Sequence, residues 1–392
     1  SERFRDLFRD AVQLRLRSDV PIGTCLSGGL DSSSIVCVAN ELMFGDRSEV
    51  PWEVVGNRQK TFSSCFEDPV YDERRFIVPI LERTGAEPHY VFPDPKELAA
   101  TVSQLVWQQD EPFGSTSIFA QWNVMRLASQ RGVKVLLDGQ GADELLAGYH
   151  GFFGAFFADL AAGRRWAALA RELTCYRRLH GPIPRYVLAN LARAFLPSVL
   201  VRLARGRMTG SADWIAADFR RRWGPIQTAP SPPGSHLQSM QHQLLMRNGL
   251  RALLHYEDRN SMAFGIETRL PFLDYRVVEF LHGLDAGLKI HKGWTKAVLR
   301  EAMAGILPEK VRLRVDKMGF VTPEDVWFRT SLREMARDVL SDSRTRARGY
   351  LNVDAALCEF EDHLAGRKNS SFAIWRWLNL ELWCRRFVDQ AP

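Results

Sequence analysis

Ile22-Gly23-Thr24-Cys25-Leu26-Ser27-Gly28-Gly29-Leu30-Asp31-Ser32-Ser33-Ser34 is the stretch whose reading decides the fold. A short apolar run ends at Ser27, two glycines turn the backbone, and a helix-compatible segment follows. Asp31, Ser32 and Ser33 fall at the expected helix start, where free backbone N–H groups and the helix dipole favour an anion. Gly28 and Gly29 let the main chain approach a phosphate with no Cβ in the way. The spacing is not that of a G-x-x-x-x-G-K-S/T loop, and no lysine follows the glycines. Such a loop suits a released pyrophosphate held with a metal better than transfer of a terminal phosphoryl group.

Working outward, residues 3–17 place Phe4, Leu7, Phe8, Ala11, Val12 and Leu14 at helical period before Asp19-Val20-Pro21 stops the helix. Ile22 to Leu26 reads as a buried strand, and Leu30 to Met43 as a helix packed on it. Residues 45–59 read as a surface connection broken by Gly45, Pro51 and Gly56. Strands are expected at Lys60–Glu67, Glu87–Phe92 and Val133–Leu137. Helices are expected at Asp72–Thr84, Asp94–Trp107 and Ser115–Arg131. Strands alternating with helices imply an α/β fold, a parallel sheet with helices on both faces and right-handed crossovers. Ligands of such sheets sit beyond the carboxyl ends of the strands, and the strands ending at Ser27 and Asp138 both deliver their loops there.

Beyond Tyr149 a mostly helical extension follows. The chain divides into an α/β core at 1–150, a basic helical insertion with a proline-rich loop at 151–238, a helical substrate- and phosphate-contacting part at 239–330, and C-terminal helices at 331–392. Arginines crowd residues 151–208, where Leu188, Leu191, Phe195, Leu196, Val199 and Leu200 keep a helical period. Two readings stand side by side: a solvated basic face, or a docking surface for a partner or membrane headgroups. The proline-rich loop runs over 224–236, and helices resume at 239–263, 275–282, 295–305 and beyond 330.

The 392 residues, 46% apolar and 25% charged, describe an ordinary globular protein with a sizeable core. The net charge of +6 suits an acidic substrate or nucleotide but is too diffuse to indicate a nucleic-acid partner. Six scattered cysteines without a C-x-x-C pair read as reduced thiols of a cytoplasmic protein. No secretory signal and no apolar run of roughly 18 residues is present. Ser1 opens directly on a helical pattern, so the chain reads as one piece of a longer or processed polypeptide.

Leu136-Leu137-Asp138-Gly139-Gln140-Gly141-Ala142-Asp143-Glu144 is the second strong signal. Asp31 and Asp143 lie on loops that should face each other across the sheet edge, where two carboxylates can hold Mg²⁺ against phosphates. Each alone could be a helix cap. A third signal, Tyr256 to Asp274, crowds acids and arginines beside an apolar run, as a structural network or a substrate pocket would. The fourth is Arg314-Val315-Asp316-Lys317-Met318-Gly319-Phe320, with Lys296 upstream. A lysine near the phosphates would stabilise charge developing in an adenylation transition state.

These strings are specific together. S-G-G-L-D-S-S resembles the pyrophosphate loop of the N-type ATP pyrophosphatases. With D-G-Q-G-A-D-E-L-L-A-G-Y, D-R-N-S-M-A, E-T-R-L-P-F-L-D-Y-R-V-V-E-F and R-x-D-K-M-G-F it follows the order of the glutamine-hydrolysing asparagine synthetases. The match, roughly 3–150 and 240–330, is similar to that family's C-terminal synthetase domain. The resemblance implies an adenine nucleotide α-hydrolase-like fold with ATP and Mg²⁺ as cofactors. It also implies a reaction in which the aspartate β-carboxylate becomes an acyl-adenylate and ammonia converts it to asparagine, AMP and pyrophosphate. Leu26 and Ser64 would contact adenosine through the backbone, and Asp138 and Gly139 would line the nucleotide. Ser27, Gly28, Gly29, Asp31 and Ser32 would hold pyrophosphate, with Lys296 beside them. Asp31 and Asp143 would bind metal. Lys317, Gln140 and Glu267 stand as the candidate catalytic groups.

Two departures qualify the resemblance. The family's glutaminase domain is absent from this sequence, so the expected nitrogen source is free ammonia, a glutaminase domain or chain, or another amine. Gln140 stands where some members carry a glutamate and β-lactam synthetases a tyrosine. An amide is no base but can orient a carboxylate. The alternative expectation is a ring-closing natural-product amide synthetase of the β-lactam synthetase or lasso-peptide cyclase type. A non-enzymatic scaffold would not need Asp31, Asp143 and Lys317 together, and a homodimer is compatible with either enzyme.

Overall fold

The computed structural model describes residues 1–45, 56–193, 214–224, 234–316 and 321–389. Most of the surface connection at 45–59, most of the proline-rich loop, the helical positions Phe195, Leu196, Val199 and Leu200, and Lys317 lie outside them. Five strands form one parallel sheet: β1 (Ile22–Cys25), β2 (Lys60–Ser64), β3 (Glu87–Val91), β4 (Val135–Leu137) and β5 (Glu267–Arg269), in the order β3-β2-β1-β4-β5. The expected α/β class is the observed one, with the expected strands each trimmed by one or more residues. β5 is an addition: only three residues long, it shows no periodicity and lies between the helices read at 239–263 and 275–282.

Period-two alternation splits the sheet between two layers. Ile22, Val135 and Leu137 point to one face, into a core shared with α1 (Glu2–Arg15), α2 (Leu30–Phe44), α3 (Arg74–Thr84) and buried residues from Phe272 to Val311. Cys25, Phe62 and Leu136 point to the other, against Val124, Met125 and Ala128 of α5 (Ser117–Gln130), which follows α4 (Pro95–Gln109). Gly23 lies on that second face, where a Cβ would come within 2.7 Å of the Phe62 ring. The buried stripe Phe4, Phe8, Ala11 and Val12 of α1 is the helical period seen in the sequence.

A separate core joins α4 and α5 to the C-terminal helices, and it takes in Trp327 and Phe328. The divide drawn at residue 330 therefore runs through one packed unit. The extension holds its own core around Phe152, Phe153, Phe157 and Tyr176, in helices Gly151–Ala162 and Trp166–His180. No helix among the described residues is long and apolar enough to cross a membrane.

Candidate active site

The loop after β1 is shaped by its own hydroxyls. Ser27 and Ser32 stand Oγ to Oγ at 3.0 Å, Gly29 N–H donates to Ser27 Oγ at 3.3 Å, and Ser33 N–H closes the first helical bond on Gly29 O. Gly28 has φ +68°, a left-handed turn that a side chain adopts only with strain. No side chain caps the start of α2, which leaves its first-turn amides available to an anion. Arg314, buried against the Phe76 ring, donates from Nη1 to Gly28 O at 3.1 Å and pairs with Glu73. It ties this loop to the start of the 314–320 segment.

The loop after β4 meets it closely. A Cβ on Gly139 would lie 3.3 Å from both Asp31 Cβ and Ser32 N, so glycine lets the two backbones touch. Asp138 accepts the Gly139 N–H on Oδ1 at 2.6 Å, while its buried Oδ2 has no hydrogen-bond partner. Burial pushes this carboxyl up to about 6, the Gly139 N–H works against that, and the Asp31 charge adds to it. Beside these loops opens a pocket lined by Leu26, Ser27, Ser32, Ser64, Tyr71 and Asp138, among others. Ser64 Oγ is a second buried atom there without a partner. Leu26 N–H is committed to Phe62 O, and Leu26 O already accepts from Ser63, so only a carbonyl lone pair remains for a ligand.

Lys296 joins the two loops electrostatically. The residue is 2% exposed, and its ammonium lies 2.5 Å from Asp31 Oδ2 and 2.6 Å from Asp143 Oδ1. Two carboxylates converging on one cation are the hard oxygen donors that Mg²⁺ prefers. The acid pair thus fits a divalent cation in chemistry and in convergence. Asp143 belongs to a helical turn of only four residues, Ala142–Leu145, so little dipole supports it.

Gln140 is half-exposed and lies against Glu257, a fully buried acid on helix Leu250–Met262. Burial, then the Asp138 charge, raises the Glu257 carboxyl well above its usual range. Thr268 and Gln140 approach it closely enough to favour the ionised form, yet neither oxygen has a partner in full hydrogen-bond geometry. Glu267 requires a correction. It opens β5 opposite Val135, at the amino end of the parallel sheet, whereas the site lies past the carboxyl ends. Its side chain is exposed and paired to Arg269 at 2.6 Å.

The structure therefore brings together Leu26, Ser27, Gly28, Gly29, Asp31, Ser32, Ser64, Asp138, Gly139, Gln140, Asp143 and Lys296, and separates Glu267 from them. Lys317 lies outside the described residues, although its neighbour Asp316 touches Arg314. Sequence reasoning missed Glu257, Arg314 and Glu73. The first two stood in quoted strings; only their burial marks them.

Comparison with known proteins gives one consistent result. The family model described as asparagine synthase matches residues 3–385. Asparagine synthetase (glutamine-hydrolyzing) 1 of Bacillus subtilis is 29% identical over 97% of this chain and 58% of its own length. A putative asparagine synthetase (glutamine-hydrolyzing) of Mycobacterium bovis is 29% identical over 98% of this chain and 57% of its own. Amidase chyE of Penicillium rubens is 24% identical over 88% and 56%. The chain spans a little over half the length of these relatives.

Proposed function

The chain belongs to the asparagine synthase family, and on that footing we propose that it forms an amide bond at the expense of ATP, through an acyl-adenylate. The carboxylate is aspartate, the amine is ammonia supplied free or by a glutaminase domain or chain, and the products are asparagine, AMP and pyrophosphate. One observation carries the reading. At the carboxyl edge of the sheet, two glycine loops touch beside a pocket holding the unpartnered Ser64 Oγ and Asp138 Oδ2.

In this reading the pocket takes the nucleoside, with Leu26 O, Ser64 Oγ and Asp138 Oδ2 as its polar contacts. The uncapped amides of α2 and the hydroxyls of Ser27 and Ser32 receive the β- and γ-phosphates. A carboxylate oxygen attacks the α-phosphorus, the bond to the bridging oxygen breaks, and pyrophosphate leaves against Lys296 and Lys317, which offset its growing charge. The amine then attacks the acyl carbon, AMP leaves, and the amine gives up a proton. Asp31 and Asp143 would hold Mg²⁺, which supplies charge neutralisation of the phosphates. Gln140 orients the carboxylate through its amide.

The test is release of pyrophosphate and AMP from ATP, Mg²⁺ and aspartate, with and without ammonium. Product formation that needs aspartate supports the reading. Activity confined to other carboxylates, above all ones bearing their own amine, would transfer it to the ring-closing alternative. ADP as product would overturn both.

A further inference from the structure

Lys296 is held in an unusual way. Its backbone adopts φ +55°, ψ +34°, a left-handed conformation that a β-carbon disfavours, and its N–H donates to Leu146 O at 3.3 Å. The turn before it is clamped from the helical extension. Buried Glu172 accepts the N–H groups of Lys292 and Gly293, each at 3.0 Å, and His180 Nε2 meets Gly293 O at 2.8 Å. The root of the side chain is therefore fixed, and any displacement of the ammonium has to come from its four-carbon stem.

At the other end of that stem the ammonium occupies the point on which Asp31 and Asp143 converge. The ammonium stands in a buried position between two negative charges, and the Arg300 charge also acts on Asp31. A divalent cation at the same oxygens would neutralise both carboxylates, but it cannot share them with an ammonium without strong repulsion. Beside Lys296 a second cavity of about 30 Å³ opens, lined by Gly29, Gly148, His150, Trp294 and Arg300. It reaches the backbone of the phosphate loop and gives the ammonium somewhere to go.

We propose that Lys296 is a placeholder cation. Its ammonium holds Asp31 and Asp143 together in the empty site, excludes a free divalent ion, and yields the acid pair only when the metal arrives with nucleotide phosphates to receive the lysine. The proposal rests on the adenylation reading for the identity of the nucleotide, but the exclusion itself does not. Glu172, through the 291–296 turn, is the positioning residue that ties this exchange to the helical extension.

The experiment is Mn²⁺ binding to the nucleotide-free protein, read by electron paramagnetic resonance, for wild type and Lys296→Met. The variant should bind Mn²⁺ about tenfold or more tightly than wild type, as when one like charge is removed from beside an ion. Its melting temperature should be depressed in chelator and restored by Mn²⁺. Adding Asp143→Asn should abolish the gain. Equal Mn²⁺ affinity in wild type and variant, or a gain that survives Asp143→Asn, overturns the proposal. Should Lys296→Met not fold, Lys296→Gln provides the same readout. Turnover is not read, so an incorrect substrate leaves this result interpretable, and failure here leaves the adenylation reading in place.

Discussion

The Asp138 carboxyl, at the end of β4, raises the buried Glu257 carboxyl on helix Leu250–Met262, and burial pushes both up before any charge acts. Their folded-state values lie above the roughly 4 of an unfolded carboxyl. The stability they contribute is then fully present below about pH 4 and is lost as pH rises through the folded values, about 6 for Asp138. Nucleotide-free protein should therefore lose melting temperature between pH 5 and 7. Glu257→Gln removes one charge from the pair and should flatten that slope. An unchanged slope in the variant would separate the two residues.

Gly148→Ala should disable the site. Its Cβ would lie 2.0 Å from Asp143 Oδ1 and 2.3 Å from Lys296 Cε, and both atoms are already committed. Overpacking of this kind costs about 1–3 kcal/mol, which thermal unfolding would register, and pyrophosphate release should fall far more than stability does.

Asp31→Asn and Asp143→Asn keep the side-chain shape and remove the charge. Each should lower the rate of pyrophosphate release by about a hundredfold or more, the range for loss of one transition-state stabiliser. Rates near wild type would withdraw the metal assignment.

Lys317→Ala should cost about a hundredfold or more in the same assay. Glu267→Gln should stay within about twofold, the expectation for an exposed residue outside every contact of the site. A tenfold or larger loss from Glu267→Gln would return it to the catalytic groups.

Asp274 caps helix Tyr275–Gly283, accepting Arg276 N–H at 3.0 Å, and pairs with Arg276 and Arg15. The Arg276 guanidinium first, then Arg15, holds its carboxyl well below the usual range, against burial. Its contribution is present above about pH 4 and lost as pH falls through the depressed value. Asp274→Ala should cost about 1 kcal/mol, the usual cost of a lost helix cap, in denaturant unfolding at pH 7, and less at pH 3.

The opening loop was legible because its chemistry is local. Ser27, Gly28, Gly29, Asp31 and Ser32 act within one strand–turn–helix unit, and Asp138 and Gly139 within another. Short apolar runs between helical segments likewise exposed four of the five strands. β5 escaped notice because three residues carry no period, and Glu267 was misassigned with it, since only the register with Val135 reveals which end of the sheet it occupies.

By itself the sequence determined the α/β order, the pyrophosphate-type loop and the acids that end up at one edge. Tertiary structure decided which charges meet. Lys296 reaches Asp31 across 265 residues of chain and crosses to Asp143, and Glu257, ten residues before the acid singled out in the sequence, is the one buried beside Gln140. Contacts of that range have no local signature. They arise from the helical extension clamping one turn and from burial, which makes an unpaired charge costly and so selects the partner.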